Sequence, residues 1–148
     1  MRLVADTSVI VAAIVDNEPR HAQCLAVLES ATHAYITPQV VTETCWLLSA
    51  AGYRRAAIDF LSDVASGFFE LVNPEPSDYV RAGQLIDSYA GTMRRKKPKP
   101  GSIDLADAMN VIVAARQETT ILATLDQDYR GLKPLVGPAF FTLLPDDE

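Results

Sequence analysis

Short apolar runs alternate with helix-period patterns along the chain, an alternation that predicts an α/β protein built on a parallel sheet. Five runs read as strands: Leu3-Val4-Ala5, Ala34-Tyr35-Ile36, Phe68 to Val72, Thr120 to Leu125, and Phe140 to Leu143. Between them, helical periodicity covers about 8–15, 19–31, 38–51, 54–66, 77–89 and 102–117. Boundary residues sharpen several of these. Pro19 suits a first helical turn, and Thr37-Pro38 pairs a hydroxyl N-cap with a proline at the next position. Gly52 and Gly67 stop the two helices before them. Ser102 is placed to cap the last helix, and Asn73-Pro74-Glu75-Pro76 reads as a turn.

No repeat, low-complexity stretch or internal boundary interrupts this pattern. The 148 residues therefore predict one domain, with 145–148 as a fraying tail. An apolar fraction of 49% against 22% charged residues is that of a folded chain and excludes disorder. The longest apolar run, Val9 to Val15, is too short for a membrane span. Asp6 breaks the first apolar stretch and only Arg2 precedes it, which does not match a signal peptide. Cys24 and Cys45 both fall in helical patterns and read as reduced thiols of a cytoplasmic protein.

Charge changes the picture more than composition does. The formal net charge is -6, from 19 acids and 13 bases. Five of those bases, Arg94, Arg95, Lys96, Lys97 and Lys99, share one six-residue window inside a proline-punctuated loop, 92–101. The remainder of the chain is strongly acidic, so a general nucleic-acid coat protein is a poor match.

Several acids occupy positions where a purely structural residue gains little. Asp6 and Asp126 each follow a strand, the place where parallel sheets bind ligands, although both also suit a cap or turn. Glu43 shares a helical stripe with Val40, Thr44 and Leu47, where an uncompensated carboxylate is costly. Asp104, Asp107 and Asn110 are spaced by three along one helix face. Asp104 also suits the helix dipole, whereas Asp107 is deeper among Leu105, Ala106, Ala108 and Met109. If Asp6, Glu43, Asp107 and Asp126 converge, they cannot all ionise without a cation. A set of hard oxygen donors without His or Cys points to Mg2+ or Mn2+, one ion or two. Such a site polarises a phosphodiester and activates water for in-line attack. Zinc spacing, a phosphate-cradling glycine loop and a Gly-x-Ser-x-Gly elbow are all missing from the sequence.

These motifs resemble the PIN-domain nucleases, and the VapC-type toxins of bacterial toxin–antitoxin pairs among them. Asp6-Thr7-Ser8 after a short first strand resembles the family's opening motif, as does Glu43 early in the helix after strand two. The run from Asp107 to Ala115 is similar to its acidic helix. Thr124-Leu125-Asp126-Gln127-Asp128-Tyr129 is similar to its final motif, with Tyr129 where Phe is commoner. The resemblance implies a three-layer α/β/α sandwich with a five-stranded parallel sheet. It also implies a Mg2+-dependent endoribonuclease, usually a homodimer, restrained by a small antitoxin. By the same resemblance Asp6, Glu43, Asp107 and Asp126 hold the metal, with Thr7, Ser8 and Thr124 as supporting hydroxyls. Asp104 and Asp128 are both open as further ligands, Asp128 being the preferred one. The basic loop departs from the compact family pattern, and Arg94, Arg95, Lys96, Lys97 and Lys99 are expected to grip the RNA backbone. A housekeeping RNA-processing nuclease and a non-catalytic RNA- or protein-binding scaffold stand as alternatives.

Overall fold

The structure, a computed structural model, describes residues 1–90 and 103–148. The basic segment 94–99 and Ser102 lie outside the described residues. The described chain runs β1 (Arg2–Ala5), α1 (Thr7–Ile14), α2 (His21–Ser30), β2 (His33–Ile36), α3 (Pro38–Ala50), α4 (Arg54–Ser66) and β3 (Glu70–Leu71). It continues through α5 (Pro76–Ser88), α6 (Leu105–Arg116), β4 (Ile121–Ala123), a 3-10 turn (Gln127–Gly131) and β5 (Thr142–Leu144).

All strand pairings are parallel, in the order β3-β2-β1-β4-β5. Side chains alternate across a strand, and here the alternation sorts them into two cores. Val4, Tyr35, Leu122 and Leu143 face one side, where they pack with Ala82 and Leu85 of α5 and Ala108 to Val113 of α6. Leu3, Ala5, Ala34, Ile36, Ala123 and Leu144 face the other, against α1, α2, α3 and α4 through Ile10, Val27, Val40 and Phe60. Burial on both faces is what a parallel sheet requires. The expected three-layer α/β/α sandwich is the observed architecture.

Chain order places β2 and β3 on one side of β1, and β4 and β5 on the other. Adjacent central strands β1 and β4 therefore lead away in opposite directions, which opens a crevice at their carboxyl ends. Register carries this to single residues. Ala5 pairs with Ala123, and the Asp6 amide donates to the Ala123 carbonyl at 2.9 Å, so Asp6 leaves the sheet beside Thr124.

Several boundaries differ from the sequence reading. Helix α2 starts at His21, because residues 16–20 form turns and Pro19 falls before the helix. Strand β3 keeps only Glu70 and Leu71 of the longer expected run. The cap of α6 is Asp104, not Ser102. Nor is the C-terminal tail loose. Asp146 pairs with Arg20, while Asp147 accepts from both terminal nitrogens of Arg130 and from the Leu143 amide. Fixed charge partners thus hold a segment whose composition alone predicts fraying. Thr37 caps α3 as expected, taking the Val40 amide on its hydroxyl. Gly67 closes α4 in the left-handed conformation, φ 84°, which a side chain would strain. Among the described residues no helix is long and apolar enough to cross a membrane.

Candidate active site

Five carboxylates, those of Asp6, Glu43, Asp104, Asp107 and Asp126, line one cavity of about 270 Å3 at the β1–β4 crevice. They arrive from four places in the fold. Asp6 ends β1 and precedes α1, Glu43 projects from the second turn of α3, Asp104 and Asp107 open α6, and Asp126 begins the 3-10 turn after β4. The hydroxyls of Thr7 and Ser8 share the lining.

Asp6 is the hub. It is 8% exposed, and although it stands at the N-cap position its side chain does not cap α1. Instead its Oδ2 accepts from Ser8 Oγ and from Thr124 Oγ1, both at 2.9 Å. Its Oδ1 accepts from Asn110 Nδ2 at 3.3 Å and from the Tyr129 hydroxyl at 3.5 Å. Burial pushes the Asp6 carboxyl above the usual carboxylate range. The Thr124 and Ser8 hydroxyls and the Thr7 amide pull it down, while the Asp126 charge adds to the rise. This environment assembles donors around a charge that burial disfavours.

Thr124 joins two acids. Its hydroxyl, fully buried, also accepts the Asp126 amide at 3.0 Å. Ser8 Oγ in turn accepts the Leu125 amide at 2.9 Å, tying the strand end to α1. The third hydroxyl singled out from sequence, Thr7 Oγ1, donates to Glu43 Oε2 at 3.2 Å, so all three lie against acids of the cavity.

The α6 acids restrain each other. The Asp107 amide donates to Asp104 Oδ1 at 2.9 Å and the Asp104 amide to Asp107 Oδ2 at 3.1 Å, a reciprocal capping box. Asp107 is only 6% exposed, so the surface alternative for it is gone. Asp104 is among the residues lining the cavity, and Asp128, the ligand preferred from sequence, is not. Its place at the cap explains this: Asp104 sits where α6 begins, whereas the Asp128 amide donates to Asp126 Oδ1 within the 3-10 turn.

Glu43 also needs correcting. The buried stripe of α3 is Val40, Thr44 and Leu48, and Leu47 is exposed. Glu43 stands half-buried at the edge of that stripe, where its carboxylate reaches the cavity and the Thr7 hydroxyl.

Sequence reasoning gave two residues at the floor of the site no role. Asn110, 1% exposed, donates through Nδ2 to both Asp6 and the Tyr129 hydroxyl, the latter at 2.9 Å. Its Oδ1 is buried and, among the described residues, has no hydrogen-bond partner. Tyr129 is also 1% exposed. Burial, then the charges of Asp6 and Asp107, push its phenol well above the ordinary tyrosine value, so the proton stays on and donates to the carboxylates. A lone amide in the otherwise apolar run from Ala108 to Ala115 was the available signal for Asn110. For Tyr129 it was a hydroxyl where the family commonly has Phe.

The lining offers oxygen donors and neither His nor Cys, which suits a hard divalent cation. Among the described residues no three His, Cys, Asp or Glu side chains already form a ligand group. Mg2+ does not demand one, because it keeps several waters and commonly takes one or two carboxylates plus substrate phosphate. The histidines lie elsewhere, His21 on the Ala12 carbonyl and His33 on Glu70, and both cysteines are free thiols.

Comparison with known proteins places this fold in a family. The family model for the PIN domain matches residues 3–133. The chain is 29% identical over 145 residues to Ribonuclease VapC26 of Mycobacterium tuberculosis, spanning 97% of this chain and 100% of that one. The fold superposes on M. tuberculosis VapC20, a sarcin-ricin-loop-cleaving toxin, with a TM-score of 0.74 at 18% identity, covering 92% of this chain and 99% of the other. It also matches a chain of a toxin–antitoxin complex from Klebsiella pneumoniae, with a TM-score of 0.62 at 16% identity and coverage of 94% and 99%. A chain of the VapBC2 assembly of Rickettsia felis, bound to a promoter DNA fragment, scores 0.62 at 17% identity, with 97% of each chain covered. The family model spans most of the chain and the fold is shared with these structures: the chain belongs to the PIN-domain family.

Proposed function

We propose that this protein is a metal-dependent endoribonuclease acting as the toxin of a toxin–antitoxin pair, with Asp6, Glu43, Asp107 and Asp126 as its metal-site acids. The observation that carries the reading is the meeting of five carboxylates at the β1–β4 crevice, with the hydroxyls of Ser8 and Thr124 turned onto Asp6. A concentrated negative charge repels an RNA phosphate unless a cation intervenes. A bound Mg2+ or Mn2+ would polarise the phosphodiester and make water a competent nucleophile.

The chain's own residues supply the rest. Asp6 is fixed by four side-chain donors, so its carboxylate is oriented before substrate arrives. Thr124 sets the spacing between Asp6 and Asp126, and Thr7 aims Glu43 across the cavity. The capping box holds Asp104 and Asp107 at the mouth of α6. Asp104 is a further ligand candidate, and Asp128 a weaker one. The bases at 94–99 precede α6 in sequence and are assigned to the RNA backbone, as their charge suggests.

VapC26 is a ribonuclease and VapC20 a toxin, while two structural relatives come from toxin–antitoxin assemblies. Those likenesses support an RNA substrate and an antitoxin partner here; a cytoplasmic homodimer is proposed from the family resemblance in the sequence alone. The test is RNA cleavage by purified protein with Mg2+, with EDTA, and with Asp6→Ala. Cleavage that needs Mg2+ and is lost in the variant is expected. Equal cutting by Asp6→Ala, or indifference to EDTA, would remove the mechanism.

A further inference from the structure

Beside the acid cavity, and sharing Glu43 and Asp104 with it, lies a second depression of about 560 Å3. One wall is a single side of α3. Thr42, Glu43 and Trp46 lie three, four and seven residues after Gln39, which puts all four on one helix side. Leu105 at the start of α6 forms part of the other wall.

Two features of this wall have no explanation among the described residues. Trp46, the chain's sole tryptophan, is 67% exposed, although an indole of its size is normally covered for most of its area. Gln39 donates through Nε2 to the Tyr79 hydroxyl at 3.2 Å, yet its Oε1 is buried and has no hydrogen-bond partner among the described residues. An orphaned buried acceptor is costly unless a ligand brings the donor. An aromatic face and an unmet acceptor on one helix side, next to a site for phosphate, match the two recognition elements of a nucleobase. One is its π-face and the other its amino edge. A base is also uncharged, so Glu43 and Asp104 do not repel it as they would a phosphate.

We propose that this depression is a nucleobase subsite. The base next to the cleaved phosphate stacks on Trp46, and its exocyclic amino group donates to Gln39 Oε1. Cytosine, adenine and guanine carry that amino group and uracil does not, so the subsite selects against uracil. The inference rests on the nuclease reading above, and the following experiment separates the two.

Trp46 emission in the full-length wild-type protein, as the sole indole signal, is titrated with tetracytidylate and with tetrauridylate, Ca2+ replacing Mg2+ to slow cleavage. Cleavage kinetics with Mg2+ are measured in parallel. Saturable quenching is expected, with tetracytidylate bound about tenfold more tightly than tetrauridylate. Gln39→Leu should keep the quenching and equalise the two affinities. Trp46→Ala should raise KM for cytidine-containing RNA by about tenfold, and Trp46→Phe should restore most of it. Quenching without preference for cytidine overturns the Gln39 contact and with it the proposal. Asp6-dependent cleavage without quenching overturns the subsite, leaves the nuclease reading intact and gives this face to a protein partner. Loss of both quenching and cleavage overturns the nuclease reading itself.

Discussion

Replacing Thr124 with Val keeps the side-chain shape and deletes one fully buried hydroxyl. That hydroxyl donates to Asp6 Oδ2 at 2.9 Å, accepts the Asp126 amide at 3.0 Å and lies 3.2 Å from Ser8 Oγ. A bond to a buried carboxylate contributes about 1.5–3 kcal/mol, and an orphaned buried amide costs about 1–3 kcal/mol. Ser8 remains on Asp6 and recovers part of the loss, so Thr124→Val should be destabilised by about 3 kcal/mol. For a domain of this size that lowers Tm by about 10 °C. Thr124→Ser keeps the hydroxyl and gives up one methyl, about 1 kcal/mol. Urea and thermal denaturation followed by circular dichroism in metal-free buffer distinguish the two. Thr124→Val also removes a donor that lowers the Asp6 carboxyl, so the acid limb of the cleavage pH profile should move to higher pH. A variant within about 0.5 kcal/mol of wild type, or a serine variant as unstable as the valine one, would refute the bridging role of Thr124.

Tyr129→Phe should fold but lose about 1–2 kcal/mol, because it leaves an Asn110 amide proton unpaired and withdraws a donor from Asp6; unchanged stability in urea would show that this hydroxyl does not organise the floor of the site. Asp78→Asn tests the pair that joins α5 to α6, where Asp78 meets Arg116. Burial pushes the Asp78 carboxyl up, but bonds from Arg116 and the Glu75 amide outweigh burial and hold it below the usual range. A lowered folded value means that this stabilisation is present above the unfolded pKa and is lost as pH falls through the folded one. The wild type should therefore exceed Asp78→Asn by about 1.5–3 kcal/mol at pH 7, with the gap closing below about pH 4. A gap independent of pH would contradict the assignment.

The sheet was legible because its strands are short apolar runs bounded by turn residues, and β1 and β4 announced the crevice by ending near Asp6 and Asp126. Helix ends governed by local chemistry were also legible, as at Thr37-Pro38 and Gly67. Ends settled by tertiary contacts were not. Asp104 became the cap of α6 through its reciprocal bonds with Asp107, and the tail was fixed by Arg20 and Arg130 from distant turns. Periodicity placed Glu43 among apolar residues but could not show that the buried stripe turns from Thr44 to Leu48, leaving Glu43 at its edge. Asn110 and Tyr129 were in view without a role, because their partner Asp6 is more than a hundred residues away in sequence.

The central claim is that these carboxylates form a divalent-cation site. Calorimetric titration of Mn2+ into the purified protein, with Asp6→Asn and Asp107→Asn beside the wild type, tests it most directly. Saturable binding by the wild type, lost or weakened at least tenfold in both folded variants, is the predicted result. Binding of equal strength in all three proteins, or none in a wild type that still cleaves RNA, would contradict it.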